Sequence, residues 1–341
     1  MKRLLVSLFG FLVAFLLGYR QTSAADVPDA LSSAGPALTT FNDTTILAWA
    51  GEPGEGVHKV WYSTFNGNSW SPETQVRGAE TSSAPALAVA AGKIYLATTP
   101  PNADDKIYFY MSSGHAFTAT GSPLCDDGMC AHTKATPALT GDGSALYAAW
   151  TTADGAIMYA TRFGDVWKIE PVPVPNAMTS PTNGPTLALH GNALYLAWVT
   201  ASGKTVEVES ATLPLSSGSW STKPKVVHAQ TQVAPALGVL TSLENGPIKE
   251  SLYLAWTTPA ASIGFAYLNS ASEWVASSPP LALPSGPLTA LTPALNSFTF
   301  QSSNQECVRS DNLAYTLVGK GAHGKPAHQI SVDSQRSQGC P

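Results

Sequence analysis

Residues 137–150, PALTGDGSALYAAW, decide the fold, because their two apolar segments recur along the whole chain. The first segment opens with Pro-Ala-Leu or Pro-Thr-Leu, and the second is a run such as LYAAW or LYLAW. The prolines that open the repeats are Pro36, Pro85, Pro137, Pro185, Pro235 and Pro293. Their intervals are 49, 52, 48, 50 and 58 residues, and such a constant period predicts a repeat architecture.

Each repeat continues with a third apolar segment, such as IMYATRF from Ile157, and with a fourth segment that an aromatic residue opens. The fourth-segment aromatics are Trp70, Phe117, Trp167, Trp220 and Trp274. Short segments rich in β-branched and aromatic residues, separated by Gly, Pro, Asn and Asp, predict β-strands. We therefore predict an all-β fold, a six-bladed β-propeller of four-stranded antiparallel blades. A linear β-solenoid is the alternative, although its repeats are usually shorter.

The sixth repeat lacks an aromatic-led fourth segment after its third strand at residues 328–334. Residues 26–33 stand before Pro36 as residues 73–80 stand before Pro85. We expect this N-terminal strand to complete and close the last blade, since closure removes open sheet edges. Residues 26–341 would then form a single domain.

The first 25 residues have the pattern of a secretory signal peptide. Lys2 and Arg3 precede an apolar run over residues 4–17, and small residues lead to a cleavage site near Ala24 or Ala25. No second long apolar run follows. We therefore expect a secreted protein, extracellular or periplasmic, without membrane insertion.

Composition excludes several classes of protein. Charged residues make up 12% of the chain, about half of the usual 25%, and the net charge is −5. Both values argue against a nucleic-acid partner. A hydrophobic share of 44% and nine tryptophans argue against disorder.

Four cysteines in a secreted chain predict disulfides. Cys125 and Cys130 flank a turn-forming tetrapeptide, and Cys307 and Cys340 lie in the last repeat. The pairs Cys125–Cys130 and Cys307–Cys340 are the most economical of the three connectivities. No organised Cys/His spacing stands out, so we predict neither a metal nor a cofactor.

Two groups of residues are candidates for ligand binding. In an antiparallel blade the second-to-third loops share one end with the connections between blades, and this end carries most of the polar candidates: Glu52, Glu55, His58, Asp104 and Asp105. Ordinary solvated loop residues are the alternative for each of them. The second group is aromatic: Trp61, Trp70, Trp167, Trp220 and Trp274. Indole faces stack on sugar rings, but they also pack neighbouring blades together.

The repeat pattern P-A-L…L-Y-x-A-W…W-S resembles secreted bacterial propellers related to sialidases and to propeller lectins. Residues 63–70, STFNGNSW, are similar to the sialidase Asp-box, although Phe65 stands where that motif has aspartate. The resemblance implies three substrate-binding arginines in an active sialidase. After residue 25 this chain has only Arg77, Arg162, Arg309 and Arg336, none of them in the expected context, so we predict no catalytic residues.

These observations favour a lectin-like propeller with several weak glycan sites between blades, whose partners are glycans or glycoproteins. One alternative is a sialidase-like glycoside hydrolase that uses carboxylates at the loop-rich end. The other is a protein-interaction scaffold.

Overall fold

The computed structural model describes residues 21–51, 58–101, 104–200, 206–242, 249–276, 291–301, 307–320 and 326–338. Within these ranges the chain forms β-strands and no helix. Six four-stranded antiparallel sheets make a six-bladed propeller, as the repeat predicted. Across the same residues there is no helix of the length and apolarity that a bilayer crossing requires.

The blades follow one another along the chain, with the innermost strand first in each. An N-terminal strand, β1 (Gln21–Leu31), precedes them. Blade one consists of β2 (Ala37–Phe41), β3 (Thr44–Ala50), β4 (His58–Phe65) and β5 (Thr74–Thr81). Blade two consists of β6 (Ala86–Ala90), β7 (Lys93–Thr98), β8 (Tyr108–Ser112) and β9 (Thr118–Pro123). A hairpin of β10 (Cys125–Asp126) and β11 (Met129–Cys130) leads to blade three, which consists of β12 (Ala138–Gly141), β13 (Ala145–Thr151), β14 (Ile157–Phe163) and β15 (Val166–Ile169).

Blades four to six repeat the same order. Blade four consists of β16 (Thr186–His190), β17 (Ala193–Val199), β18 (Glu207–Pro214) and β19 (Lys225–Gln230). Blade five consists of β20 (Ala236–Ser242), β21 (Lys249–Thr257), β22 (Ile263–Leu268) and β23 (Trp274–Ala276). Blade six contains β24 (Ala294–Gln301), β25 (Cys307–Lys320) and β26 (Pro326–Gln338).

The N-terminal strand completes blade six, which confirms the predicted closure. The sheet order is β1-β26-β25-β24, and β1 pairs antiparallel with β26 from Gln21↔Arg336 to Asp26↔Ser331. The predicted bounds of this strand, residues 26–33, were wrong, because β26 is long enough to offer partners as far back as Gln21. The pairing therefore includes residues 21–25, which the sequence assigns to the signal peptide; its cleavage stays a prediction.

The strand order gives the ring two distinct ends. At the connection end lie the second-to-third loops and the links between blades, and bridges such as Ala156↔Met178 join the two. At the hairpin end lie the first-to-second and third-to-fourth turns of every blade. Equivalent loops and turns therefore lie at the same end of the ring in every blade.

Most second-strand residues whose burial the structure describes are buried, as their apolar sequence predicted. All seven residues of β13, Ala145–Thr151, are buried between the neighbouring blades. The innermost strands surround an axial channel, where six leucines line both a chamber of about 140 Å³ and a chamber of about 270 Å³. These leucines are Leu38, Leu87, Leu139, Leu187, Leu237 and Leu295. The leucine ring thus divides the channel.

The predicted disulfide Cys125–Cys130 is present and closes the β10–β11 hairpin. The hairpin lies against the outer strand of blade three, where Oδ2 of Asp126 accepts a hydrogen bond of 2.9 Å from the Ile169 amide. Cys340 lies outside the described residues, so the Cys307–Cys340 pair stays a prediction.

Candidate functional site in the gap between blades four and five

Aromatic pairs fill three successive gaps between blades. In each gap a third-strand ring of one blade meets the fourth-strand ring of the next. The pairs are Tyr62–Phe117 at 5.2 Å, Phe109–Trp167 at 5.1 Å and Tyr159–Trp220 at 5.5 Å between ring centroids. Such contacts are favourable edge-to-face or tilted arrangements. They explain why most fourth-strand aromatics belong to the packing of the ring.

The third-strand member of each pair occupies one fixed position in the blade. It lies opposite the alanine of the second-strand motif, as in Ala149↔Tyr159. Across the six blades the residues at this position are Tyr62, Phe109, Tyr159, Ser210, Phe265 and Val332. Blade four is therefore the place where a serine replaces the ring.

The serine leaves a cavity of about 430 Å³ between blades four and five, at the hairpin end. This volume falls within the range of about 300–1,000 Å³ that small-molecule sites occupy. The lining residues are Tyr195, Ser210, Thr212, Pro214, Ser217, Ser219, Trp220, Ser221, Lys225, Leu268, Ser272 and Trp274. Two indoles and a phenol thus face a wall that is rich in hydroxyl groups.

Hydrogen bonds across the gap hold the cavity open. Nε1 of Trp274 donates to Oγ of Ser210 over 2.8 Å, which fixes the indole of blade five against the floor of the cavity. On the other side, Trp220 packs edge-on against Tyr159 of blade three. Nζ of Lys225 reaches over the gap and donates to the carbonyl oxygen of Ser272. The walls therefore belong to two different blades but are tied together.

The ionisation of the lining residues suits neutral hydrogen bonding. Burial raises the pKa of Tyr195, so its hydroxyl remains a donor at neutral pH. Lys225 is the only charged residue among the twelve that line the cavity. No carboxylate lines it, nor does any line the described walls of the axial channel. These cavities therefore lack the pair of carboxylates on which glycoside hydrolysis usually depends.

The predicted tryptophans do not form one group. Trp220 and Trp274 line the cavity, whereas Trp167 is buried against Phe109. Trp70 and Trp61 are half-buried and pack against the core between blades six and one, and Trp70 also contacts Phe65 at 5.2 Å. The structure thus brings two of the five predicted aromatics into a common cavity.

The predicted polar residues that the structure describes, His58, Asp104 and Asp105, lie at the opposite, connection end of the ring. Nδ1 of His58 is 2.9 Å from Oγ of Ser33 and 3.1 Å from the carbonyl oxygen of Gly51, so it ties the first blade to the incoming chain. Asp104 is 85% exposed, and Lys106 approaches its carboxylate at 3.7 Å. The carbonyl oxygen of Asp105 accepts the Thr133 amide at 2.8 Å. Glu52 and Glu55 lie outside the described residues.

Other ligand chemistry has little support among the residues that the structure places. No group of three or more His, Cys, Asp or Glu residues there comes together to hold a metal ion. Burial raises the pKa of Glu209, and the charge of Glu207 adds to this effect, while the Trp198 indole acts in the opposite direction. Glu209 lies opposite Trp198 in the strand pair, and it is not part of the cavity lining.

Ser210 is the functional candidate that the sequence analysis missed. The signal was present in the third segments, where VEVESATL of blade four has no aromatic at the position that blades one, two, three and five fill with Tyr or Phe. Recognising it requires the register Ala197↔Ser210, which the segment alone does not supply.

Comparison with known proteins supports the fold. No family model matches the chain, and no curated protein matches its sequence. Among solved structures, the SapL1 lectin in complex with alpha methyl fucoside is similar, with a TM-score of 0.58, 11% identity, and coverage of 88% of this chain and 97% of that chain. AofleA from Arthrobotrys oligospora has a TM-score of 0.57 at 9% identity, covering 92% of both chains. The fucose-specific lectin from Aleuria aurantia has a TM-score of 0.51 at 11% identity, covering 88% of this chain and 96% of that chain.

Proposed function

We propose that this protein is a carbohydrate-binding propeller whose principal site is the cavity between blades four and five. The observation that carries the proposal is the replacement of a packing ring by Ser210, which opens the gap beside two indoles. A pyranose has apolar C–H faces that stack on an indole, and hydroxyl groups that bond to serine, threonine and tyrosine. The cavity offers both kinds of contact.

The structural neighbours add support of a weaker kind. SapL1 is a lectin with a bound fucoside, and the Aleuria aurantia protein is a fucose-specific lectin. Sequence identity near 10% supports the fold alone, so the sugar is left to experiment. A fucoside is nevertheless a reasonable neutral probe to include.

The number of sites differs from the sequence-based hypothesis of several weak ones. Aromatic pairs occupy the gaps between blades one and two, two and three, and three and four. We therefore favour one principal site per chain, with a monosaccharide dissociation constant of about millimolar to micromolar. Additional weak sites stay a prediction.

Binding without hydrolysis fits the cavity better than catalysis. The lining has hydroxyls, aromatic rings and one lysine, but no carboxylate to serve as acid or nucleophile. The sialidase-like alternative would need carboxylates at the connection end, where the carboxylate of Asp104 is 85% exposed and lies 3.7 Å from Nζ of Lys106. We therefore rank hydrolysis below binding.

A glycan array with two matched tryptophan variants tests the proposal. Trp274→Phe removes the hydrogen bond to Ser210 and replaces the indole that lines the cavity with a smaller ring. Trp167→Phe makes the same chemical change in the gap between blades two and three, which Phe109 fills. We expect the array signal of the wild type to fall at least tenfold in Trp274→Phe and to persist in Trp167→Phe. A wild type without signal on any glycan, or a Trp274→Phe protein that binds as the wild type does, contradicts the proposal.

We further propose that the protein is secreted after cleavage near Ala24 or Ala25. The Cys125–Cys130 disulfide supports an oxidising compartment. Mass spectrometry of protein from the culture medium or periplasm tests this directly. A product that retains residues 1–23 argues against the cleavage site.

A further inference from the structure

We infer that the cavity between blades four and five selects an acidic glycan, one whose carboxylate or sulfate group meets Lys225. The inference rests on the proposed carbohydrate-binding function and names the class of sugar. Lys225 is placed by the fold directly at the site, since it begins β19 opposite Ser210 in the strand register. Its ammonium group therefore belongs to the mouth of the opened gap.

The ammonium group retains bonding capacity. Lysine has three N–H donors, and Nζ of Lys225 uses one of them on the carbonyl oxygen of Ser272 in the facing blade. Four ion pairs are formed among the described residues, and each of their cations has a carboxylate within 4 Å. Lys225 takes part in none of these pairs. A ligand anion would supply the counter-charge.

Lys225 is the one charged side chain among the residues that line the cavity. Lys223 and Glu273 are exposed residues close in sequence to residues that line the cavity, but neither of them belongs to the lining. Glu209 lies in the same strand as Ser210 but one position away, so its side chain points to the opposite face. The whole chain is negative, with a net charge of −5, so an anionic ligand needs a local cation to overcome the general repulsion.

The expected selectivity is moderate because Lys225 is exposed. A charge-assisted contact at a solvated rim favours the acidic ligand over its neutral counterpart by about three- to tenfold. The preference should weaken as salt is raised from about 20 mM to 500 mM, because exposed charges are screened.

Paired ligands and paired lysine variants test the inference. Chondroitin sulfate, the same polymer after desulfation, and the desulfated polymer with reduced carboxylates separate the sulfate from the carboxylate on one backbone. Other acidic glycans are arrayed beside their neutralised forms in the same way. We expect the wild type to bind an acidic member three- to tenfold better than its neutral form, whichever acidic group is responsible.

Lys225→Gln should lower the ratio of acidic to neutral binding to about one, whatever it does to the binding of the neutral form, and Lys225→Arg should restore the ratio. Lys223→Gln, a neighbouring exposed lysine outside the lining, serves as the control and should keep the preference. Equal binding of acidic and neutral forms by the wild type overturns the inference but leaves the proposed function standing, as does a preference that persists in Lys225→Gln. Absence of binding to every glycan overturns both.

Discussion

Filling the gap between blades four and five with a tyrosine should stabilise the ring and remove the binding site. Blade three provides the template, because Tyr159 fills the preceding gap and its hydroxyl lies 2.7 Å from Oγ1 of Thr161. Blade four has Thr212 at the same two-residue spacing from Ser210. In Ser210→Tyr the new ring would therefore enter the cavity beside Trp274 with a hydroxyl partner already in place.

The expected gain in stability is small but measurable. Burying the ring contributes about 1.5–3 kcal/mol, and a pair with Trp274 adds about 0.5–1.5 kcal/mol. The lost hydrogen bond between Ser210 and Trp274 costs about 1 kcal/mol, and imperfect fit costs at least about 1 kcal/mol. The net gain is about 0–2.5 kcal/mol, with a central value of about 1 kcal/mol. A domain of this size has an unfolding entropy of roughly 0.7 kcal/mol per kelvin, so the melting temperature should rise by about 1–2 °C and by no more than about 4 °C.

Calorimetry and a glycan titration measure the two effects on the same samples. We expect Ser210→Tyr to melt higher and to lose at least tenfold in affinity, which is about 1.4 kcal/mol. Ser210→Ala is the matched control, because it removes the bond to Trp274 but leaves the cavity open. A Ser210→Tyr protein that binds as tightly as the wild type, or melts several degrees lower, refutes the assignment of the cavity.

Four other expectations follow from the same contacts. Tyr159→Ser should open the preceding gap beneath Trp220, lower stability by about 3–5 kcal/mol and raise the number of sugars bound per chain from one to two, which calorimetric titration counts. Glu209→Gln should raise the melting temperature at pH 7, because the raised pKa of Glu209 means that its ionised form destabilises the folded state. The difference in melting temperature between the variant and the wild type should vanish as the pH falls below 4.5, the ordinary pKa of glutamate. Unequal melting temperatures at pH 3.5 would contradict this. A chain that starts at Ser32 should aggregate or melt early, since β26 loses its outer partner and becomes an open edge, and unchanged melting of a monomer would count against the closure. Thiol titration of the unfolded, unreduced protein should detect no free thiol, and two reactive thiols would exclude the Cys307–Cys340 pair.

The architecture was predictable from the sequence because every blade repeats the same pattern of apolar segments that must be buried. The prolines from Pro36 to Pro293 mark each entry to the axis, and the LYLAW-type runs have no polar face to offer to water. The missing fourth segment after residue 334 pointed correctly to closure by the N-terminal strand. Its bounds escaped prediction because the length of β26 decides them, and polar residues such as Gln335 and Arg336 give no periodic signal.

The candidate site was only half predictable, for a different physical reason. Trp220 and Trp274 are visible as large aromatics, but the same residue type at Trp167 is a packing residue. Trp274 differs from Trp167 in the volume of the residue across the gap, whereas Trp220 borders the same cavity although Tyr159 fills its own gap. Ser210 is conspicuous only when the strands are in register. The loop residues His58, Asp104 and Asp105 were candidates because they are polar and lie at one end of the ring, whereas the cavity depends on a missing ring at the other end.

Closure by β1 has a consequence for how the chain is assembled during synthesis. Asp26 pairs with Ser331, so the first strand to leave the ribosome must wait for a partner made about 305 residues later. At about 5–20 residues per second this delay is about 15–60 s. Throughout that interval the early blades can stack only from one side, and the free edges of β1 and of the newest blade remain open to other chains. The ring therefore closes only when β26, the last strand, pairs with β1. Until then the growing chain has to be kept from pairing with other chains.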